Sequence, residues 1–224
     1  MWRTAREPLL GIDEAGRGAW IGPLVVGAVC VRRDEVRALV DAGARDSKAL
    51  SPARREEVYA RLARCAVLRS AEAAPAEIDR HVTEGKLNEL EARLFGELAR
   101  PFAPAEARVD ACDANARRFG ARVAHFAGPE VAVFAQHHAD VTDPVVGAAS
   151  IVAKVRRDRA IRQLAADLGT EVGSGYPSDR RTVAFVRRYV AEKGGLPSWL
   201  RASWATTRRV IARPRAGPAR PQLR

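Results

Sequence analysis

Two apolar runs, Leu9-Leu10-Gly-Ile-Asp13 and Leu24-Val-Val-Gly-Ala-Val-Cys-Val31, flank a glycine-rich segment from Glu14 to Pro23. Runs of this length and composition read as strands, and a single short connection makes them a hairpin at the start of a sheet. Ser51-Pro52 then supplies a cap and a first-turn proline for a helix over Ala53 to Ala63. Cys65 to Ala71 is expected as a third strand. Glu84 to Ala99 carries Leu87, Leu90, Leu94 and Leu98 at helical spacing and predicts an amphipathic helix. Ala107 to Ala111 and Ala121 to Ala127 are further strand candidates. Asp143-Pro144 opens a long helix ending at Gly169, and another helix is expected over Asp179 to Glu192. Alternation of strands and helices predicts an α/β protein.

The 224 residues, 47% of them hydrophobic, suffice for one substantial core. The longest apolar run, Ile21 to Val31, contains Gly22, Pro23 and Gly27 and is too short to span a bilayer. With no secretory pattern at Met1 to Leu10 either, a cytoplasmic protein is expected. Cys30, Cys65 and Cys112 have no paired spacing, which argues against a disulfide framework and a zinc site. The net charge of +11 points to a polyanionic partner. Charge alone is weak support, because nearly all the basic residues are arginine.

Asp13 and Glu14 stand where the first strand runs out into glycine-rich chain. Consecutive strand residues face opposite ways, so the two acids share a target only if the chain bends there, and Ala15-Gly16-Arg17-Gly18 is expected to supply the bend. An isolated acid pair is more often a solvated strand end. Asp110 ends the apolar stretch from Ala107, and Asp140 lies just before the long helix. If those strand ends are neighbours, Asp13, Glu14, Asp110 and Asp140 form an oxygen-rich pocket suited to Mg²⁺ or Mn²⁺, two of which activate water and stabilise the leaving oxygen of a phosphodiester. Asp113 and Asp143 compete for the same role. Asp143 is expected as a helix cap and Asp113 as a loop or capping residue.

Five segments occur in an order and spacing that resemble the ribonuclease HII family. They are Gly-Ile-Asp13-Glu14-Ala-Gly16-Arg17-Gly18; Asp46-Ser47-Lys48; Val109-Asp110; His138-Ala-Asp140 with Ala-Ala-Ser150-Ile-Val-Ala-Lys154-Val-Arg-Arg-Asp158; and Gly173-Ser-Gly-Tyr176-Pro-Ser-Asp179. The resemblance runs from about Leu10 to Thr206. Leu87-Asn-Glu-Leu-Glu91 and Arg201-Ala-Ser203-Trp204 are similar to the archaeal and eukaryotic branch. It implies a ribonuclease H-like fold: a mixed five-stranded sheet flanked by helices over residues 1–168 and a small helical C-terminal region over 169–212; the Pro- and Arg-rich stretch over 213–224, with almost nothing to bury, is expected to be a disordered tail. The resemblance also implies a monomeric endonuclease acting on RNA–DNA hybrids and on single ribonucleotides in DNA. Asp13, Glu14, Asp110 and Asp140 would be its metal-binding catalytic acids, and cleavage 5′ of the ribonucleotide would leave 3′-hydroxyl and 5′-phosphate ends.

Substrate contacts are expected from Gly16, Arg17 and Gly18, whose backbone can approach a 2′-hydroxyl while Arg17 reaches a phosphate. A solvated tight turn is the bland alternative. Tyr176 is expected to stack beside the ribose, or else to pack on Pro177. Lys48 is a further candidate phosphate contact, and Lys154 is more simply explained by a pair with Asp158 one helical turn on. Arg201 and Ser203 are weaker candidates for the nucleic-acid backbone. Trp199 and Trp204 read as core, and His137-His138 lack partners for zinc. The sequence departs from the family where Ala19-Trp20-Ile21 intervenes before Gly22-Pro23, and Gln222-Leu223-Arg224 lacks the aromatic pair of a clamp-binding tail. Another ribonuclease H-like nuclease, of junction-resolvase or transposase type, and a non-catalytic nucleic-acid binder are the competing readings.

Overall fold

The first two strands, β1 (Pro8–Ala15) and β2 (Leu24–Arg32), pair antiparallel as the hairpin reading requires, with Leu9 opposite Val31 and Asp13 opposite Gly27. A computed structural model describes residues 7–44 and 50–211. Lys48 with its Asp46-Ser47 neighbours, and the tail over 213–224, lie outside the described residues. β3 (Val67–Ala73) adds antiparallel to β2, while β4 (Glu106–Asp110) and β5 (Ala132–Gln136) extend the other side in parallel. The order β3-β2-β1-β4-β5 is the expected mixed five-stranded sheet.

The helices are α1 (Val36–Ala42), α2 (Pro52–Cys65), α3 (Pro75–Thr83), α4 (Leu87–Ala99), α5 (Ala116–Ala127), α6 (Ala139–Thr142), α7 (Pro144–Asp167), α8 (Arg180–Lys193) and α9 (Ala205–Ile211). Strand alternation sends Leu10, Ile12, Val26 and Ala28 to one face, where they meet Leu90, Leu94 and Phe95 of α4 and Phe119 and Val123 of α5. Leu9, Val29 and Val31 face the other way, onto Val145, Ala148, Ala149 and Val152 of α7. The hairpin is therefore buried on both sides, which explains its nearly continuous apolar sequence. A third cluster joins Trp20 and Ile21 to Ile161, Phe185, Val186 and Leu200, and seats the C-terminal helices against the segment that follows β1. No described helix is long and apolar enough to cross a membrane.

One element differs in kind from its sequence reading. Ala121 to Ala127 is helical, within α5: Asn115 accepts a hydrogen bond from the backbone of Arg118 as an N-cap, and Phe119, Val123 and Ala127 recur on its buried face. The strand expected there lies a few residues later, as the short β5.

Candidate active site

The sheet brings three acids together. In the parallel pairing of β1 with β4, Ile12 lies opposite Val109, so the next residues, Asp13 and Asp110, stand side by side on adjacent strands. Asp110 accepts a hydrogen bond at 3.0 Å from the backbone of Ala139, which anchors the start of α6 and places Asp140 beside the same strand ends. Carboxylate oxygens of Asp13, Asp110 and Asp140 lie within 4.8 Å of one another. Such a set, with Asp13 and Asp140 buried, suits a hard divalent cation.

Glu14 joins this cluster only in part. β1 does not bend at Asp13 and Glu14; it stays paired with β2 through Ala15, and the turn begins at Gly16. Burial pushes the Glu14 carboxyl well above the usual range, with Asp13, Glu91 and Asp110 adding to the shift, and its Oε2 is buried without a hydrogen-bond donor. An orphaned carboxylate oxygen next to three clustered aspartates fits a site shaped for a cation. Asp13 is pushed up to about 6, chiefly by burial; a hydrogen bond from Ser150 and the charge of Lys154 pull against this, and Asp110 adds to it.

A pH-dependent prediction follows from Asp13. Its folded value lies above the ordinary 3.8, so its contribution to stability is present at low pH and is lost as pH rises through about 6. Metal-free protein should therefore melt lower at pH 7.5 than at pH 5.5, by roughly 2–3 °C. Mg²⁺ should raise the melting temperature more at pH 7.5, and an equal metal effect at both pH values would contradict this account of the cluster.

The competing acids are engaged elsewhere. Asp143 caps α7, accepting from the backbone of Val145 at 2.8 Å, and its other oxygen accepts from Arg108 at 2.6 Å. Asp113 accepts from the backbone of Asn115 and from Arg118 at the start of α5. Lys154 does not pair with Asp158. It donates to Ser150 at 2.5 Å on the face of α7 nearest Asp13, and Asp158 is held by Arg55 of α2 at 2.8 Å. Ser150 was not among the expected site residues; its i, i+4 spacing to Lys154 is the signal that marks it. His137 is exposed, with Nδ1 3.2 Å from the Ala111 carbonyl, and His138 precedes α6 with φ of 59°.

The turn after Glu14 is held from beneath. Gly16 adopts φ of +86°, and a Cβ there would meet Arg157 at 2.7 Å, so the fold itself demands glycine. At Gly18 a Cβ would meet nothing within 4 Å, and its φ is ordinary. Nothing within the described protein requires glycine at that position. Arg201 is fully buried, donating to the carbonyls of Arg17 at 2.9 Å and Gly22 at 3.2 Å. Direct contact with a nucleic acid, as the sequence suggested, is not open to it in this conformation; it braces the turn instead. Burial and the nearby Arg157 lower it to about 10. Ser203 is likewise engaged, with its hydroxyl on Asp79 at 2.5 Å.

The loop carrying Tyr176 is tied to the same turn. Backbone N–H groups of Trp20 and Ile21 both donate to the carbonyl of Gly175, at 2.8 and 3.1 Å. The guanidinium of buried Arg157 lies 4.3 Å from the Tyr176 ring centroid and donates to the Ser174 carbonyl at 2.9 Å. Tyr176 thus packs against an arginine guanidinium. Trp199 stacks on Phe185 at 5.2 Å, in the core as expected.

A five-stranded mixed sheet with acids at the ends of β1 and β4 and before α7 defines a nuclease of the ribonuclease H-like fold. Residues 10–207 match the family Ribonuclease HII. The chain belongs to that family, and with it to the ribonuclease H endonucleases. It is similar to the ribonuclease HII of Methanocella arvoryzae, at 43% identity over 95% of each chain. Among solved structures it is similar to the ribonuclease HII of a PCNA:RNase HII complex from Archaeoglobus fulgidus, at 37% identity and a TM-score of 0.80, covering 88% of this chain and 94% of that one. Bst-RNase HIII in complex with Mn²⁺ shares the fold at 18% identity, with a TM-score of 0.79 over 93% of this chain and 70% of that one.

Proposed function

We propose that this endonuclease cuts the RNA strand of RNA–DNA hybrids and also cuts DNA on the 5′ side of a single embedded ribonucleotide, leaving 3′-hydroxyl and 5′-phosphate ends. The observation that carries this reading is the adjacency of the three-aspartate set to a turn whose Gly18 is open on its outer side. An open glycine lets backbone groups come close to a sugar, and the 2′-hydroxyl is the group that distinguishes ribose from deoxyribose.

Asp13, Asp110 and Asp140, with Glu14 beside them, would hold Mg²⁺ or Mn²⁺. Such ions supply Lewis-acid stabilisation of the developing charge and lower the pKa of water. Around that centre, Gly16 to Gly18 present main-chain groups to the ribose, and Arg17 reaches the adjoining phosphate. Tyr176, set by Arg157 and by the bonds between the Gly175 carbonyl and the Trp20 and Ile21 amides, supplies a flat face for the sugar or base that follows. Arg201 acts through the turn, and Ser203 through its contact with Asp79. Lys48 is a further phosphate contact in this reading.

The test is a DNA duplex carrying one ribonucleotide, incubated with folded protein and Mg²⁺ or Mn²⁺ alongside a long hybrid and an all-DNA control. Cleavage immediately 5′ of the ribose is expected, with the all-DNA duplex intact. Cleavage of the hybrid alone would remove the single-ribonucleotide part of the proposal.

A further inference from the structure

Among the described residues, Glu91 has no exposed surface at all, yet it lies on the face of α4 that carries Leu90 and Leu94 into the core. A carboxylate in such a position costs stability unless its oxygens are engaged. Glu91 meets Arg17 of the turn, with Nε 3.1 Å from Oε2 and 3.0 Å from Oε1. The thiol of Cys112, two residues beyond Asp110, donates to Oε2 at 3.0 Å. One turn earlier on the same helix, Asn88 accepts from Arg17 Nη2 at 2.7 Å. The Arg17 side chain is therefore gripped along one edge by two residues of α4 while 39% of it remains exposed. Its main-chain carbonyl is held separately by Arg201.

We infer that Glu91 is a positioning residue for substrate binding: it fixes the Arg17 guanidinium beside the open face of Gly18, ready to take a phosphate of the cleaved strand. The inference rests on the proposed role of the turn. The pair buries the acid completely and leaves the arginine partly open to a ligand, on the turn that follows the acid cluster. Loss of the grip leaves Arg17 free to sample many rotamers, and the cost of ordering it then falls on substrate binding. A phosphate contact of this kind is made equally in the ground and transition states, so the effect should appear in KM.

The experiment compares wild type with Glu91→Gln, Asn88→Ala, Arg17→Met and the Glu91→Gln, Arg17→Met double variant on a long RNA–DNA hybrid. Glu91→Gln should raise KM by about tenfold with kcat within about threefold. The double variant should be no weaker than Arg17→Met alone, because both changes remove one interaction. Asn88→Ala, at a half-buried site, should raise KM by a smaller factor and keeps the test open should Glu91→Gln not fold. Equal KM values in all folded single variants, or a double variant weaker by the product of the single effects, would overturn the positioning role. Cleavage by wild type without any KM effect would defeat this inference alone, while absence of ribose-directed cleavage in wild type would defeat the proposed function itself.

Discussion

Asp13→Asn and Asp110→Asn are each expected to lower turnover by at least about a thousandfold while leaving hybrid binding within a fewfold of wild type. Both side chains belong to the mutually close set on β1 and β4, and an asparagine at 110 keeps an Oδ1 that can accept from the Ala139 amide. The more telling expectation concerns stability. Burial and like charge hold Asp13 at about 6, so at pH 7.5 its ionised form is strained in the metal-free fold. An amide of the same shape removes that strain, and the metal-free variant should melt at or above the wild-type temperature. Asp113→Asn supplies the contrast. Asp113 is also buried, but Arg118 and the backbone of Asn115 hold its carboxyl well below the usual range. Its ionised form is stabilising, so the substitution should lower the melting temperature and spare the chemistry. Rates near wild type in both Asp13→Asn and Asp110→Asn would end the four-acid assignment, and a thousandfold loss in Asp113→Asn would transfer it.

The same acids illustrate how far the sequence could be read. Asp13 and Asp110 were recognisable because each closes an apolar stretch, and a strand end is a local property. That β4 lies beside β1 in parallel is not local, and only that pairing brings the two acids together. The segment from Ala121 to Ala127 differs from its expected strand because short alanine-rich chain carrying one valine and one phenylalanine suits either element; Asn115, six residues upstream, held the deciding cap. Lys154 and Asp158 have the spacing of a helical ion pair, yet Arg55 from a different helix takes the aspartate, a competition that no single-helix rule contains. Arg201 is the sharpest case. Its match to the family's C-terminal motif suggested a nucleic-acid contact, whereas its burial against two carbonyls depends on the turn that it supports, some 180 residues earlier in the chain.

The second large effect belongs to glycines that the chemistry never touches. Gly27→Ala is expected to destabilise the protein by about 3 kcal/mol and lower its melting temperature by roughly 10 °C. A Cβ at Gly27 would lie 2.5 Å from the Ala149 carbonyl oxygen and from the Ala153 nitrogen, and one at Gly11 would lie 2.3 Å from the backbone of Val145. These obstacles are main chain of α7, so no side-chain rotation relieves them; the helix must lift from the sheet or the hairpin must bow. Overpacking of that kind costs more than a mismatched side chain because both surfaces are regular elements packed along their length. Gly27 lies opposite Asp13 in the hairpin, and α7 carries the Ser150 that hydrogen-bonds to Asp13. A lifted helix therefore also moves the wall of the acid cluster, so the fraction of Gly27→Ala that remains folded should show reduced kcat in addition to its lower stability. Gly195→Ala is the matched control, since a Cβ there meets nothing within 4 Å and its φ is ordinary; it should melt within about 1–2 °C of wild type. If Gly27→Ala and Gly195→Ala melt together, the close seating of α7 on the hairpin is not what holds the catalytic strand in place.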